Sequence, residues 1–242
     1  MKAVKKVLPA QRPHWVGNGF HVFPVFAHYA FSNELSPWLM FDYAAPKHFE
    51  PTAKRLGVGQ HPHRGFETVT IAWQGEVEHS DSVGNNDVIG AGDVQWMTAG
   101  RGATFASRAQ LWINLPQAQK MHAPRYQPLL ASRIPTVPLS AAGEPVELAL
   151  PEGHNAIVFV RRGGVRVGAE GQEEEVGPQA VALMQREGRT LRLAATEAGS
   201  QLLLLGGAPL DEPIAARGPF VMNTDAEIAQ ANADFRSGKM GR

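Results

Sequence analysis

The sequence contains no cysteine. That absence excludes disulfides, thiolate zinc sites and a cysteine nucleophile, and it fits a chain working in the reducing cytoplasm. Any metal would have to use His, Asp or Glu. Long apolar runs are missing too: stretches such as Leu202 to Leu205 are far shorter than the ~20 residues a helix needs to cross a bilayer. Met1 to Ala10 carries lysines with no apolar segment after them, so neither a signal peptide nor an anchor is expected. No excess of either charge exists. Lysine plus arginine number 23 and aspartate plus glutamate number 23, so no overall field attracts nucleic acid or an anionic membrane.

What is present points to packed β structure. The 242 residues, 43% of them hydrophobic and 19% charged, leave room for two modest cores. The 25 glycines and 18 prolines are scattered between short apolar runs, the pattern of a turn-rich β protein. Candidate strands include Thr68 to Trp73, Glu76 to His79, Asp93 to Thr98, Gln110 to Asn114, Ile157 to Arg161, Val165 to Val167, Ala180 to Met184, Thr190 to Leu193 and Gln201 to Leu205. Turn sequences follow several of them: Trp73-Gln74-Gly75, Val83-Gly84-Asn85-Asn86, Arg162-Gly163-Gly164 and Glu187-Gly188-Arg189 read as hairpins, which imply antiparallel sheets. The strands fall into two clusters separated by the stretch from Arg125 to Pro145, read as a linker. The expected fold class is all-β, with two antiparallel barrel or sandwich domains.

The last segment has helical spacing. Thr224 is placed to cap a first turn that carries Asp225 and Glu227, both favourable at the positive end of a helix dipole. Ile228, Ala231 and Phe235 then recur at intervals of three and four, giving one apolar stripe, and Gly238 is the expected stop.

The most chemical stretch is Gln60-His61-Pro62-His63-Arg64-Gly65-Phe66-Glu67. Residues two apart on an extended strand face the same way, so His61 and His63 can aim their imidazoles at one point. Two neutral imidazoles begin a site for a transition metal. Taken alone, an HxH pair in a polar loop is more often a coincidence than a metal site.

Its surroundings change that. His61-Pro62-His63-Arg64-Gly65-Phe66-Glu67-Thr68 resembles the signature of the pirin family, as do Gln95-Trp96-Met97-Thr98-Ala99-Gly100-Arg101-Gly102 and Gln110 to Leu115. Gly218 to Thr224, with Asp234-Phe235-Arg236, resembles the pirin C-terminus. The resemblance implies a bicupin: an N-terminal cupin over residues 1–130, a C-terminal cupin-like domain over 131–217, and a segment, 218–242, whose helix packs back on the first domain. It also implies a mononuclear metal, iron in most members, in the first barrel.

In pirins a histidine and a glutamate on a later strand complete the metal site. Those positions fall here on Phe105 and Ser107, neither of which can serve, and the segment from Phe105 to Gln110 is shorter than in the family. The expected metal residues are therefore His61 and His63 alone, holding no metal or a weakly bound divalent ion. Glu67 is the best candidate to complete the set, since general cupins use HxH followed by a glutamate. On a straight strand it would lie about 13 Å beyond His63, so it requires a bend at Gly65. His79 is a weaker candidate, with a hydrogen bond near the Val83-Gly84-Asn85 turn as its expected role. Trp96, Trp112 and Phe66 read as core rather than as a platform for a ligand.

The strand region that pirins carry before Leu148 is largely missing between Arg133 and Glu147, so a shortened second barrel is expected, with an edge to be covered by another segment or subunit. Two functions compete. The missing ligands favour a non-catalytic module that binds a small aromatic ligand such as a flavonol or a regulatory protein partner. The alternative is a metal-dependent quercetin 2,3-dioxygenase.

Overall fold

The computed structural model describes residues 1–27, 33–54, 56–82, 84–106, 110–137 and 143–240. Among them the chain forms β1 (Val4–Leu8), β2 (His14–Val16), β3 (Phe20–Ala27), β4 (Trp38–Ala44), β5 (His61–His63), β6 (Phe66–Ile71), β7 (Val77–Asp81), β8 (Asn86–Ile89), β9 (Val94–Thr98), β10 (Ala103–Ala106), β11 (Leu111–Asn114) and β12 (Arg125–Leu129). There follow β13 (Val146–Ala149), β14 (Asn155–Arg162), β15 (Val165–Val167), β16 (Glu174–Val176), β17 (Val181–Met184), β18 (Thr190–Ala195), β19 (Gln201–Gly207), β20 (Ala215–Arg217), β21 (Phe220–Met222) and one helix, α1 (Asp225–Arg236). The fold is an all-β bicupin. No helix among the described residues is long and apolar enough to cross a membrane.

Two compact units divide the chain, one of Met1–Arg12 with Thr136–Pro209, the other of Pro13–Pro135 with Leu210–Arg242. The first twelve residues thus lie with the C-terminal cupin, whereas the sequence reading assigns them to the N-terminal one. The reason is strand pairing: β1 runs antiparallel to β17, with Leu8 opposite Val181. Lys2 fixes the register, since its fully buried Nζ donates to the carbonyls of His154 at 2.9 Å and Arg186 at 2.8 Å. This unit has two four-stranded sheets, ordered β1-β17-β14-β19 and β13-β18-β15-β16. Alternate residues of β14, namely Ala156, Val158 and Val160, meet Val165, Val167 and Leu191 in its core. β1 is the end strand of the first of these sheets, and β13, which follows the stretch expected to be short, is the end strand of the second.

The other unit contains a seven-stranded sheet, β12-β9-β6-β11-β4-β3-β2, and a four-stranded sheet, β5-β10-β7-β8. Residues Arg125–Leu129, expected in a linker, instead form the edge strand β12, with Tyr126 opposite Met97. Propensity gave no warning of this, since Pro128 sits within it, and an edge is where a sheet tolerates proline.

Residues 210–242 complete this unit. Backbone bonds run from Arg64 N to Pro219 O (3.3 Å) and from Val221 N to Arg64 O (3.0 Å), beside the HPH strand. The approach is close enough that a Cβ at Gly65 would stand 1.9 Å from the Val221 carbonyl oxygen, and φ there is +87°, so only glycine serves. Val221 packs with Leu39 and Phe66. Helix α1 opens with a full capping box between Thr224 and Glu227. Ile228 and Ala231 are buried with Phe220, Met222 and Met240. Phe235, expected on the same stripe, is 43% exposed and meets Phe220 only edge-on, with centroids 6.5 Å apart.

Candidate functional site

Strand β5 presents His61 and His63 on one face, as alternation requires, with ring centroids 4.6 Å apart. His63 is buried against Phe66 at 4.9 Å and Trp112 at 5.1 Å, and these two rings lie 4.2 Å from each other. The pair of histidines on the small sheet therefore faces an aromatic wall on the large one. His61 Nδ1 is 2.8 Å from the Gly59 carbonyl oxygen, which can only accept, so Nδ1 carries a proton and, in the neutral ring, Nε2 is the atom with the free lone pair. Burial, with smaller contributions from His61 and His79, holds the His63 pKa well below the ordinary 6.5.

The structure also brings in His79. It is buried on β7 with its ring stacked on Tyr126, centroids 6.0 Å apart at 22°. Burial lowers its pKa to about 4 against the opposing pull of Asp81 and Asp87. Tyr126 in turn donates from its hydroxyl to Asp87 Oδ2 at 2.9 Å. The turn after β7 is held by Asp81, whose Oδ1 accepts from Asn85 N at 2.9 Å and Oδ2 from Asn85 Nδ2 at 2.6 Å.

Glu67 does not complete the metal set. Gly65 does bend the chain, but the bend carries it from the small sheet into the large one. There Glu67 Oε1 accepts from Thr98 Oγ1 at 2.6 Å and Oε2 from Trp96 Nε1 at 2.8 Å. It alternates with Phe66 and Thr68 along β6, so it occupies the face turned away from His63. Trp96 is thereby a partner for Glu67. Phe66 and Trp112 are packed, as expected, yet they also wall the histidines, a double role that the choice between core and platform missed.

Of the two remaining positions, Ser107 lies outside the described residues and Phe105 is described in its backbone, where it stands opposite His61 across the β5–β10 pair. In sequence, residues 105 to 109 read Phe, Ala, Ser, Arg, Ala, with no imidazole or carboxylate. Among the described residues no three His, Cys, Asp or Glu side chains gather to hold a metal. Even catalytic zinc normally keeps three protein ligands. Among the described residues, the donor set at His61 and His63 therefore stops one ligand short of such a site.

Asp42 was not singled out from the sequence. It is the single charge in Trp38-Leu39-Met40-Phe41-Asp42-Tyr43-Ala44, and an acid inside an apolar strand was the available signal. Burial pushes its carboxyl up to about 6, with His14 pulling the other way.

Comparison with known proteins bears on this geometry. Residues 19–121 match the pirin family and residues 138–241 the pirin C-terminal cupin domain. The chain belongs to the pirin family. It is 43% identical, over all of its length and 99% of the relative's, to a Pseudomonas aeruginosa protein provisionally named as a quercetin 2,3-dioxygenase. Mouse pirin is 33% identical over 86% of this chain and 83% of its own. A quercetin 2,3-dioxygenase structure from Acinetobacter baumannii superposes with a TM-score of 0.93 at 39% identity, covering 100% of this chain and 99% of that one. The Pseudomonas alignment spans 289 positions against 242 residues, so 47 positions of this pirin-family alignment have no residue here. Such losses are expected in the two stretches read as short, 105–110 and 133–147.

Proposed function

We propose that this chain is a pirin-family binding module, one that takes a planar aromatic ligand of the flavonol class into its N-terminal barrel without oxidising it. A divalent metal, iron by family resemblance, is held weakly by His61 and His63. The observation that supports this is a two-histidine donor set lined by Phe66 and Trp112, with Glu67 committed to Trp96 and Thr98 on the other face. Aromatic walls with a few convergent polar atoms are what a small-molecule site needs. Offset stacking on Trp112 would orient a ligand ring, and the Nε2 lone pair of His61 would accept from a phenolic hydroxyl. Association with a regulatory protein would use the outer surface and needs no metal.

The names of the relatives favour a second reading, metal-dependent quercetin 2,3-dioxygenase activity. Oxygen uptake with quercetin, after reconstitution with Fe(II), Ni(II), Mn(II) or Co(II), separates the two. Our reading expects no uptake above the slow aerobic oxidation of quercetin in buffer. Saturable turnover abolished by His61→Ala would overturn it.

A further inference from the structure

We propose that Asp42 is the polar anchor of the barrel's ligand site, a carboxylate that accepts hydrogen bonds from vicinal hydroxyls of a planar polyphenol resting on Trp112. The inference deepens the ligand-binding reading and rests on it.

The placement comes from register. Met40 stands opposite Trp112 and Phe41 opposite Leu111, and Asp42 N donates to Gln110 O at 3.2 Å. Met40, Asp42, Gln110 and Trp112 therefore share one face of the seven-stranded sheet. On the other side of β11, Trp112 stands opposite Thr68, which puts Phe66 and Thr68 on that face as well. This is the face whose Trp112 and Phe66 rings meet His63. Diagonal neighbours on adjacent strands are about 7–8 Å apart, so Asp42 lies within the span of one fused aromatic system from Trp112.

Its surroundings distinguish it from an ordinary surface acid. It is half-buried on an otherwise apolar strand, which costs it solvation. Glu67, the comparable acid of the opposite face, has both oxygens bonded to protein donors. Among the described residues Asp42 receives no such bond, and the charge among them that favours its ionised form is His14. With neither oxygen bonded by a described residue, the carboxylate can accept a pair of adjacent O–H groups, the bidentate geometry that a 1,2-diol on an aromatic ring supplies.

The test is quenching of intrinsic tryptophan fluorescence in the full chain, titrated with quercetin and with unsubstituted flavone. In Asp42→Asn the affinity for quercetin should fall about tenfold or more, the worth of a hydrogen-bond pair to a charged group, while the affinity for flavone stays at the wild-type value. Equal affinities of the two proteins for quercetin, or an equal loss for both ligands, would overturn the anchor and leave the ligand-binding reading standing. Failure of the wild type to bind either compound would sink both. A second arm needs no variant: wild type should prefer catechol over resorcinol, and equal binding of the two diols would contradict a bidentate carboxylate.

Discussion

Arg64 Nη1 donates to Asp234 Oδ2 at 2.7 Å, joining the residue that follows the HPH strand to helix α1. Arg64 Nε also donates to the Arg101 carbonyl at 2.6 Å, so a buried guanidinium holds three segments at the end of the metal motif. The hydrogen bond from Arg64, helped by one from Gln230, keeps the Asp234 carboxyl below its usual range.

Asp234→Asn should therefore destabilise the chain by about 1–3 kcal/mol, between the worth of an exposed pair and a buried one. Because the folded pKa is depressed, this contribution is full above the unfolded value near 4 and is lost as pH falls through the folded one. Urea unfolding of both proteins at pH 7 and pH 3.5 checks it. The difference between them should shrink at the lower pH.

Lys120 has almost no exposed surface, and its Nζ donates to Gly65 O at 2.7 Å, Val221 O at 3.0 Å and Asn114 Oδ1. Burial lowers its pKa to about 8. Lys120→Met removes all three bonds and strands their acceptors, an expected loss of about 2–3 kcal/mol. A melting temperature equal to that of wild type would show that these bonds do not hold the C-terminal segment.

The buried histidines predict acid sensitivity. His63 and His79 both have folded pKa values below 6.5, so the unfolded chain binds more protons as pH falls from 6.5 towards 4. Their contribution is whole above the unfolded value and drops with falling pH, by up to about 1.4 kcal/mol per unit for each histidine. Unfolding free energies between pH 7.5 and 5 should decline, and His79→Phe should flatten the decline. A flat wild-type profile would contradict the burial.

The motifs and hairpins made the all-β bicupin legible, and the Thr224 cap located the helix. Other features depended on pairing at long range. Nothing local announces that Val4–Leu8 pairs with Val181 to Met184. Nor does Arg125–Leu129 look like a strand until its partner at Val94–Thr98 is known. At the site, the alternation of His61 and His63 was readable from period two. The fate of Glu67 was not, because Gly65 moves it to another sheet, and Asp42 joins the aromatic face through register with a strand some seventy residues away.

The central claim is that the N-terminal barrel keeps two metal ligands and no more, and metal content measures it directly. Inductively coupled plasma mass spectrometry on the protein as purified should find iron, nickel and zinc far below one per chain. The double change Phe105→His with Ser107→Glu, opposite His61 and two residues on, should raise occupancy well above wild type. Near-stoichiometric metal in wild type, lost in His63→Ala, would contradict the account.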